Sequence, residues 1–248
     1  MKIRERLLDR SRELSSRPRQ PVVFSGVPAA DEMLNDLEGH PHAFVLACVM
    51  DRQIKAERAW VIPFEIHRRT GTRTFDELAR LSLDALREAM TVPDVLHRYP
   101  EVMAVNLHAA IGRIEEVYHR DARRIWTGNP PSAAVVRRFL EFKGIGPKIA
   151  TMAVNILVRD FRVPVSDRYS VDISPDVQVR RVLIRLGLLE HGASNEQLIY
   201  LAREMSPEYP GIFDFSLWEV GREWCRPKRP ICRECFLSDL CPSVGEFV

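Results

Sequence analysis

Apolar side chains recur at three- and four-residue intervals along almost the whole chain. No stretch shows the strict alternation of a half-buried strand, so the pattern predicts an all-α fold. Ile3, Leu7 and Leu8 mark a short basic amphipathic helix that ends before Pro18, and an acidic stretch with Asp31, Glu32, Asp36 and Glu38 leads into an apolar run over 43–50. The helical pattern carries on through 51–62 and is expected to stop at Pro63. Leu78, Leu83 and Leu86 place a helix over 76–90, and Pro100 opens a long one running toward Trp126. The strip Gly128-Asn129-Pro130-Pro131 is a break. Ser132 is placed to cap the helix that follows, with Val135, Val136, Phe139 and Leu140 facing inward.

That helix stops at Lys143, and Gly144-Ile145-Gly146 turns the chain into another headed by Pro147. Glycine reaches positive φ and lets a second molecule approach the backbone, Ile145 can plug the gap between the helices, and proline is at home in a first helical turn. Ile149, Met152, Ala153, Ile156 and Leu157 form one apolar stripe, which puts Lys148, Thr151 and Asn155 on the opposite face. Two helices joined by a tight glycine bend form a helix-hairpin-helix, whose free N–H groups at a positive helix end suit a DNA phosphate. At that same end an ammonium is disfavoured by the helix dipole and by apolar neighbours. Lys148 is therefore a candidate nucleophile for an electron-poor carbon, or else a surface lysine on a phosphate.

After an irregular stretch over 164–175, Asp176 stands before a helix whose inward face is Val179, Val182, Leu183 and Leu186. Asp176 fits an N-cap. A carboxylate fixed there and close to Lys148 could also accept a proton or stabilise a cationic sugar carbon, with Asp167 and Asp172 as rivals.

Cys225, Cys232, Cys235 and Cys241 are spaced C-x6-C-x2-C-x5-C, so four thiolates within 17 residues can converge on one inorganic centre. Disulfides compete poorly, because the cysteines are not spread along the chain and no secretory signal is visible. The unequal loops lean toward iron–sulfur, with zinc as the alternative. Cys48, inside the apolar run, reads as a buried small hydrophobe.

Composition refines this picture. Hydrophobic residues make up 46% of the 248, enough for one large domain or two small ones, and no run approaches a membrane span. A net charge of only +2 hides three basic segments. Residues 1–20 carry seven basic and three acidic groups, 120–148 seven and two, and 222–233 five and one. Brought together, they would make a stripe for a phosphate backbone.

At these residues the chain resembles the helix-hairpin-helix DNA glycosylases of the endonuclease III type. Phe142-Lys143-Gly144-Ile145-Gly146-Pro147-Lys148-Ile149-Ala150 is similar to that family's Leu-Pro-Gly-Val-Gly-Arg-Lys-Thr-Ala hairpin, which implies a catalytic role for Lys148. The family's catalytic aspartate precedes an Arg-Val pair by five residues, and Arg181-Val182 puts Asp176 there. Gly221-Arg222 and the cysteine spacing match its iron–sulfur loop, so the resemblance covers the second half of the chain. There are departures. Roughly ten extra residues separate Lys148 from Asp176 relative to the family pattern, and Val177-Gln178 stands where Thr-His is common. Gln53 is displaced from the glutamine that enters the duplex.

The resemblance implies an all-α, two-lobed fold, with a helical domain over 36–160 and a second built from 1–35 plus 161–248. It implies base excision from double-stranded DNA holding a damaged base or abasic site, by base flipping and then β-elimination. Alternatives are a monofunctional glycosylase for mismatched or alkylated bases and a non-catalytic DNA-structure binder. A 4Fe–4S cluster would sit on the four cysteines, with DNA contacts from Gly144, Ile145, Gly146, Arg226, Lys228 and Arg229. The expected protein is a monomer without a membrane partner, cytoplasmic, and nucleoid-associated in a prokaryote. Tyr169, Trp60 and Trp126 are candidates for stacking on a flipped base.

Overall fold

The computed structural model describes residues 2–246, and every regular element among them is helical. In chain order these are α1 (Lys2–Ser16), α2 (Pro28–Asn35), α3 (Pro41–Met50), α4 (Ala56–Thr70), α5 (Phe75–Leu78), α6 (Leu83–Thr91), α7 (Pro100–Val117), α8 (Ser132–Leu140), α9 (Pro147–Arg159), α10 (Val177–Arg185), α11 (Asn195–Met205) and α12 (Phe213–Glu223), joined by short 3₁₀ turns. All ten residues of α3 are buried, as expected of a helix that is apolar on every side. It forms the axis of a first core that runs from Leu34 to Val171 and takes in α4, α7, α8 and α9. Cys48 lies there, fully buried.

A second core gathers Leu7 with residues between Ile173 and Leu237, chiefly from α10, α11 and α12. The chain start is fastened to this core through α12. Ser11 and Ser216 hydroxyls pair at 2.8 Å, and the Arg10 guanidinium donates to Glu219 at 2.7 Å. Helix α2 packs on α4, and its Leu34 belongs to the first core.

Several elements differ from the pattern reading, each for a physical reason. The expected helix over 51–62 is interrupted. Gln53 takes a left-handed φ of 53°, the Arg52 carbonyl accepts from His97 Nε2 at 3.0 Å, and α4 starts only at Ala56. That helix then runs through Pro63 to Thr70. A mid-helix proline costs roughly 3 kcal/mol. Trp60, Ile62 and Ile66 are buried on either side of it, at about 1.5–3 kcal/mol for each large side chain, which outweighs the lost bond.

The helix read over 76–90 is two helices. Thr74 and Glu77 close a capping box on α5, and Ser82 caps α6 by accepting from Ala85 N. The long helix from Pro100 ends at Val117, where His119 and Arg120 adopt positive φ before a 3₁₀ turn reaches Trp126. Ser132 is the first residue of α8 rather than its cap: its hydroxyl is drawn away, donating to Asp167 Oδ1 at 2.6 Å. Leu140, expected inward, is 41% exposed at the end of that helix.

Candidate active site and nucleic-acid interface

The bend between α8 and α9 is built by its residue types. Ile145 is 6% exposed and inserts into the first core, while its N–H donates to Phe142 O at 3.0 Å. Its side chain is therefore structural, and only its backbone can face a ligand. Gly144 has a φ of +97°, and a Cβ there would lie 2.9 Å from Asn106 Nδ2, so both conformation and space call for glycine. Gly146 is extended, with nothing within 4 Å of where a Cβ would sit. It offers α9 no side-chain cap. The N–H groups of Lys148 and Ile149 consequently have no partner among the described residues at the positive end of a 13-residue helix.

Lys148 is exposed there, not sheltered among apolar side chains as expected. Its ammonium makes no hydrogen bond or ion pair among the described residues. Seven residues further along, Asn155, expected on the same outward face, is instead buried at 1% exposure. Its Nδ2 donates to Asp172 O at 2.7 Å and to Asp214 Oδ2 at 2.6 Å. Asp214, on α12, also accepts from Ser174 N at 3.1 Å and lies 3.4 Å from the Arg159 guanidinium. Burial pushes the Asp214 carboxyl up to about 7, against the pull of Arg159. This network ties the lysine helix to the irregular segment that ends at Asp176.

Asp176 caps α10 with one oxygen: Oδ1 accepts from Gln178 N at 2.7 Å and Val179 N at 2.8 Å, and Oδ2 is left without a partner among the described residues. Its rivals have other work. Asp172 is 4% exposed and forked to Arg203 at 2.7 and 2.9 Å. Asp167 pins the loop to the start of α8 through Ser132.

The four cysteines are free thiols that line one pocket with Val182, Leu186 and Trp224. Burial, together with the neighbouring cysteines, pushes the thiols of Cys232, Cys235 and Cys241 up. Among the described residues, no three His, Cys, Asp or Glu side chains are disposed to hold a metal ion. The loop is cradled by two arginines one turn apart on α10. Arg181 donates to Cys225 O at 2.8 Å and Gly221 O at 3.0 Å. Arg185 donates to Arg226 O at 2.8 Å and Pro227 O at 3.2 Å, and its Nη1 lies 3.4 Å from Cys225 Sγ. In the sequence Arg181 serves only as a register mark, and Arg185 belongs to no motif. Their i,i+4 spacing on a face toward the loop was the available signal.

Much of the basic charge is neutralised locally. Arg10 and Arg17 pair with Glu219 and Glu13, and Arg120, Arg123 and Arg137 pair with nearby carboxylates. Arg226, Lys228 and Arg229 are exposed and form no ion pair among the described residues. Trp60 and Trp126 are core residues at 3% exposure, whereas Tyr169 is 60% exposed on the segment between Lys148 and Asp176. No helix among the described residues is long and apolar enough to cross a membrane.

No family model matches the chain. It is 24% identical over 214 residues to endonuclease III of Thermotoga maritima, an alignment covering 84% of this chain and 85% of that protein. A shorter segment, 27% of this chain and 13% of the other, is 35% identical to human adenine DNA glycosylase over 71 residues. Among solved structures, a thermostable thymine-DNA glycosylase superposes with a TM-score of 0.61 at 15% identity, covering 99% of this chain and 98% of that one. An endonuclease III trapped as a covalent intermediate with DNA gives 0.54 at 19% identity, covering 91% and 99%.

Proposed function

We propose that this chain, a relative of endonuclease III with the all-helical fold of the helix-hairpin-helix DNA glycosylases, is a base-excision-repair glycosylase with abasic-site lyase activity. The observation that carries the reading is the exposed, unpaired amine of Lys148 in the first helical turn after a glycine bend with open N–H groups. Phosphates of double-stranded DNA would lie on those N–H groups and on Arg226, Lys228 and Arg229. The base to be removed is flipped from the stack. The Lys148 Nζ lone pair then bonds to C1′ as the bond from C1′ to the base breaks, its electron pair leaving on the base. Asp176 stabilises positive charge at the sugar through its free oxygen. The amine then loses a proton as the C1′–O4′ bond breaks and O4′ takes one up, which opens the sugar ring to a Schiff base; loss of a proton from C2′ of that Schiff base breaks the C3′–O bond, and the 3′ phosphate leaves with the electron pair, nicking the strand.

The two cores are read as two lobes acting within a monomer; Leu34 and the segment from Phe161 to Val171 pack in the first core, so that lobe extends beyond the expected 36–160 at both ends and the second keeps α1 and the chain from Ile173 onward. The four cysteines fit a 4Fe–4S cluster. All four line one pocket, and their unequal C-x6-C-x2-C-x5-C spacing favours such a cluster over zinc. Bound by Cys225, Cys232, Cys235 and Cys241, it would cross-link the loop and do no bond chemistry. A panel of duplexes, each with one damaged base, tests the function with product ends resolved. Base release with a β-elimination end is expected on at least one lesion and none with Lys148→Ala; release without strand nicking by wild type would refute the lyase.

A further inference from the structure

We propose that Arg52, on the loop that leaves α3, is a further phosphate-binding residue of the nucleic-acid interface, and that His97 is the positioning residue that holds it there. This rests on the DNA backbone lying on the glycine bend.

The loop and the bend meet at a guanidinium. Arg52 Nη1 lies 3.4 Å from where a Cβ on Gly144 would be, so the side chain stands against the bend itself. An arginine that merely pinned the bend would donate to one of its carbonyls. Arg52 is exposed and makes no side-chain hydrogen bond or ion pair among the described residues, unlike the many arginines here that are neutralised by a neighbouring carboxylate. Its planar fork of N–H donors is therefore open to a ligand, and phosphate oxygens are the acceptors that fork matches.

The backbone that carries it is fixed twice. Arg52 N–H donates to Met50 O at 2.7 Å, closing a tight turn at the end of α3, and its carbonyl accepts from His97 Nε2 at 3.0 Å. The other ring nitrogen of His97, Nδ1, accepts from Tyr99 N at 3.0 Å. A carbonyl only accepts and a backbone N–H only donates, so the ring is the neutral tautomer with its hydrogen on Nε2. Burial agrees, holding the fully buried imidazole below its usual range against the pull of the Arg52 carbonyl. The segment that bears His97 is anchored in turn to α4, where Arg58 donates to Leu96 O at 2.9 Å and to Val95 O.

Arg52 thus cannot leave the bend without stranding a buried imidazole N–H. A phosphate arriving at the bend meets a loop already ordered, and the cost of ordering it is not charged to binding.

Equilibrium binding to a duplex with one stable abasic-site analogue, measured from about 0.05 to 0.3 M salt, tests both roles. Arg52→Gln keeps much of the stem and removes the charge. It is expected to bind about eightfold more weakly near 0.1 M salt and to lower the salt slope by about one, the loss of a single phosphate contact. His97→Asn keeps an acceptor for Tyr99 N but releases the Arg52 carbonyl; it should lose most of the same affinity, and lose nothing further in the Arg52→Gln background. His97→Gln keeps the donor to Arg52 O and should bind like wild type. A wild-type salt slope in Arg52→Gln, whatever its affinity, overturns the phosphate contact. Equal losses from His97→Asn with and without the Arg52 charge overturn the positioning role. If His97→Asn does not fold, His97→Gln decides: wild-type binding supports the hold on Arg52, and weakened binding overturns it. Gly146→Ala measured alongside separates Arg52 from the interface as a whole. Weaker binding in Gly146→Ala with unchanged binding in Arg52→Gln removes Arg52 alone, whereas unchanged binding in both moves the DNA off the bend and takes Arg52 with it.

Discussion

Asn155 donates to Asp214 across 2.6 Å, and both side chains are buried, so this polar contact helps lock α9 to α12 between the two cores. Asp214 also receives Ser174 N and faces Arg159. Asp214→Ala would strand these donors in the interior, at a cost of about 3–5 kcal/mol. The melting temperature should fall by roughly 10 °C for a chain of this size. Asp214→Asn, which keeps shape and one acceptor oxygen, should lose less. Thermal unfolding of both variants checks the order, and equal losses would mean the carboxylate is not what organises the contact.

What was legible in the sequence was local. The α9 stripe, the glycine at positive φ, the Asp176 cap and buried Cys48 each follow from a residue and its near neighbours. Helical spacing puts Asn155 on the outward face with Lys148. It is buried because its partner, Asp214, lies 59 positions away. Pro63 reads as a terminator until the burial around it is known, and Leu140 reads as core until the chain is seen to turn away.

Acid should destabilise the first core through a histidine pair. His42 and His67 Nε2 atoms face each other at 3.1 Å, both buried. His67 Nδ1 meets both the Thr72 hydroxyl at 2.9 Å and the Thr72 carbonyl at 3.2 Å, and in the neutral pair one Nε2 donates to the other. Burial, with His67 and His40 adding to it, depresses His42 to about 3. The unfolded chain binds a proton near pH 6.5 that the folded chain refuses, so stability is full above that value and is lost as pH falls toward 3. His42→Gln keeps a donor at the same place without the titration. Relative to wild type it should gain about 1.4 kcal/mol for each pH unit below 6, read from urea melts. A constant difference across that range would contradict the linkage.

The two hairpin glycines should fail differently. Gly144→Ala forces a side chain into left-handed φ and into Asn106, costing about 1–2 kcal/mol in conformation alone, and should lower the melting temperature. Gly146→Ala meets nothing in the free protein and should melt like wild type. Its methyl group nevertheless occupies the face over which a phosphate would approach the open N–H groups. Binding to an abasic duplex should weaken about tenfold, equivalent to about 1.4 kcal/mol. Unchanged affinity in Gly146→Ala would place the backbone of the DNA elsewhere.

Arg185 joins α10 to the cysteine loop through fixed fork geometry: one guanidinium spans Arg226 O at 2.8 Å and Pro227 O at 3.2 Å while its Nη1 lies 3.4 Å from Cys225 Sγ. A lysine is a point donor and cannot span all three. Arg185→Lys should therefore keep the charge but loosen the loop that presents Arg226, Lys228 and Arg229. Two readouts are expected to move together: faster loss of the bound inorganic centre to a chelator, and weaker DNA binding with the salt dependence of wild type, since no phosphate-contacting charge is removed. Arg226→Ala, by contrast, should lower the salt slope by about one and leave the centre in place. Analysis of anaerobically purified protein should find about four iron and four sulfide per chain. One stoichiometric zinc would replace the cluster while leaving the argument for Arg185 intact, because the guanidinium acts on the loop carbonyls whichever centre the thiols hold.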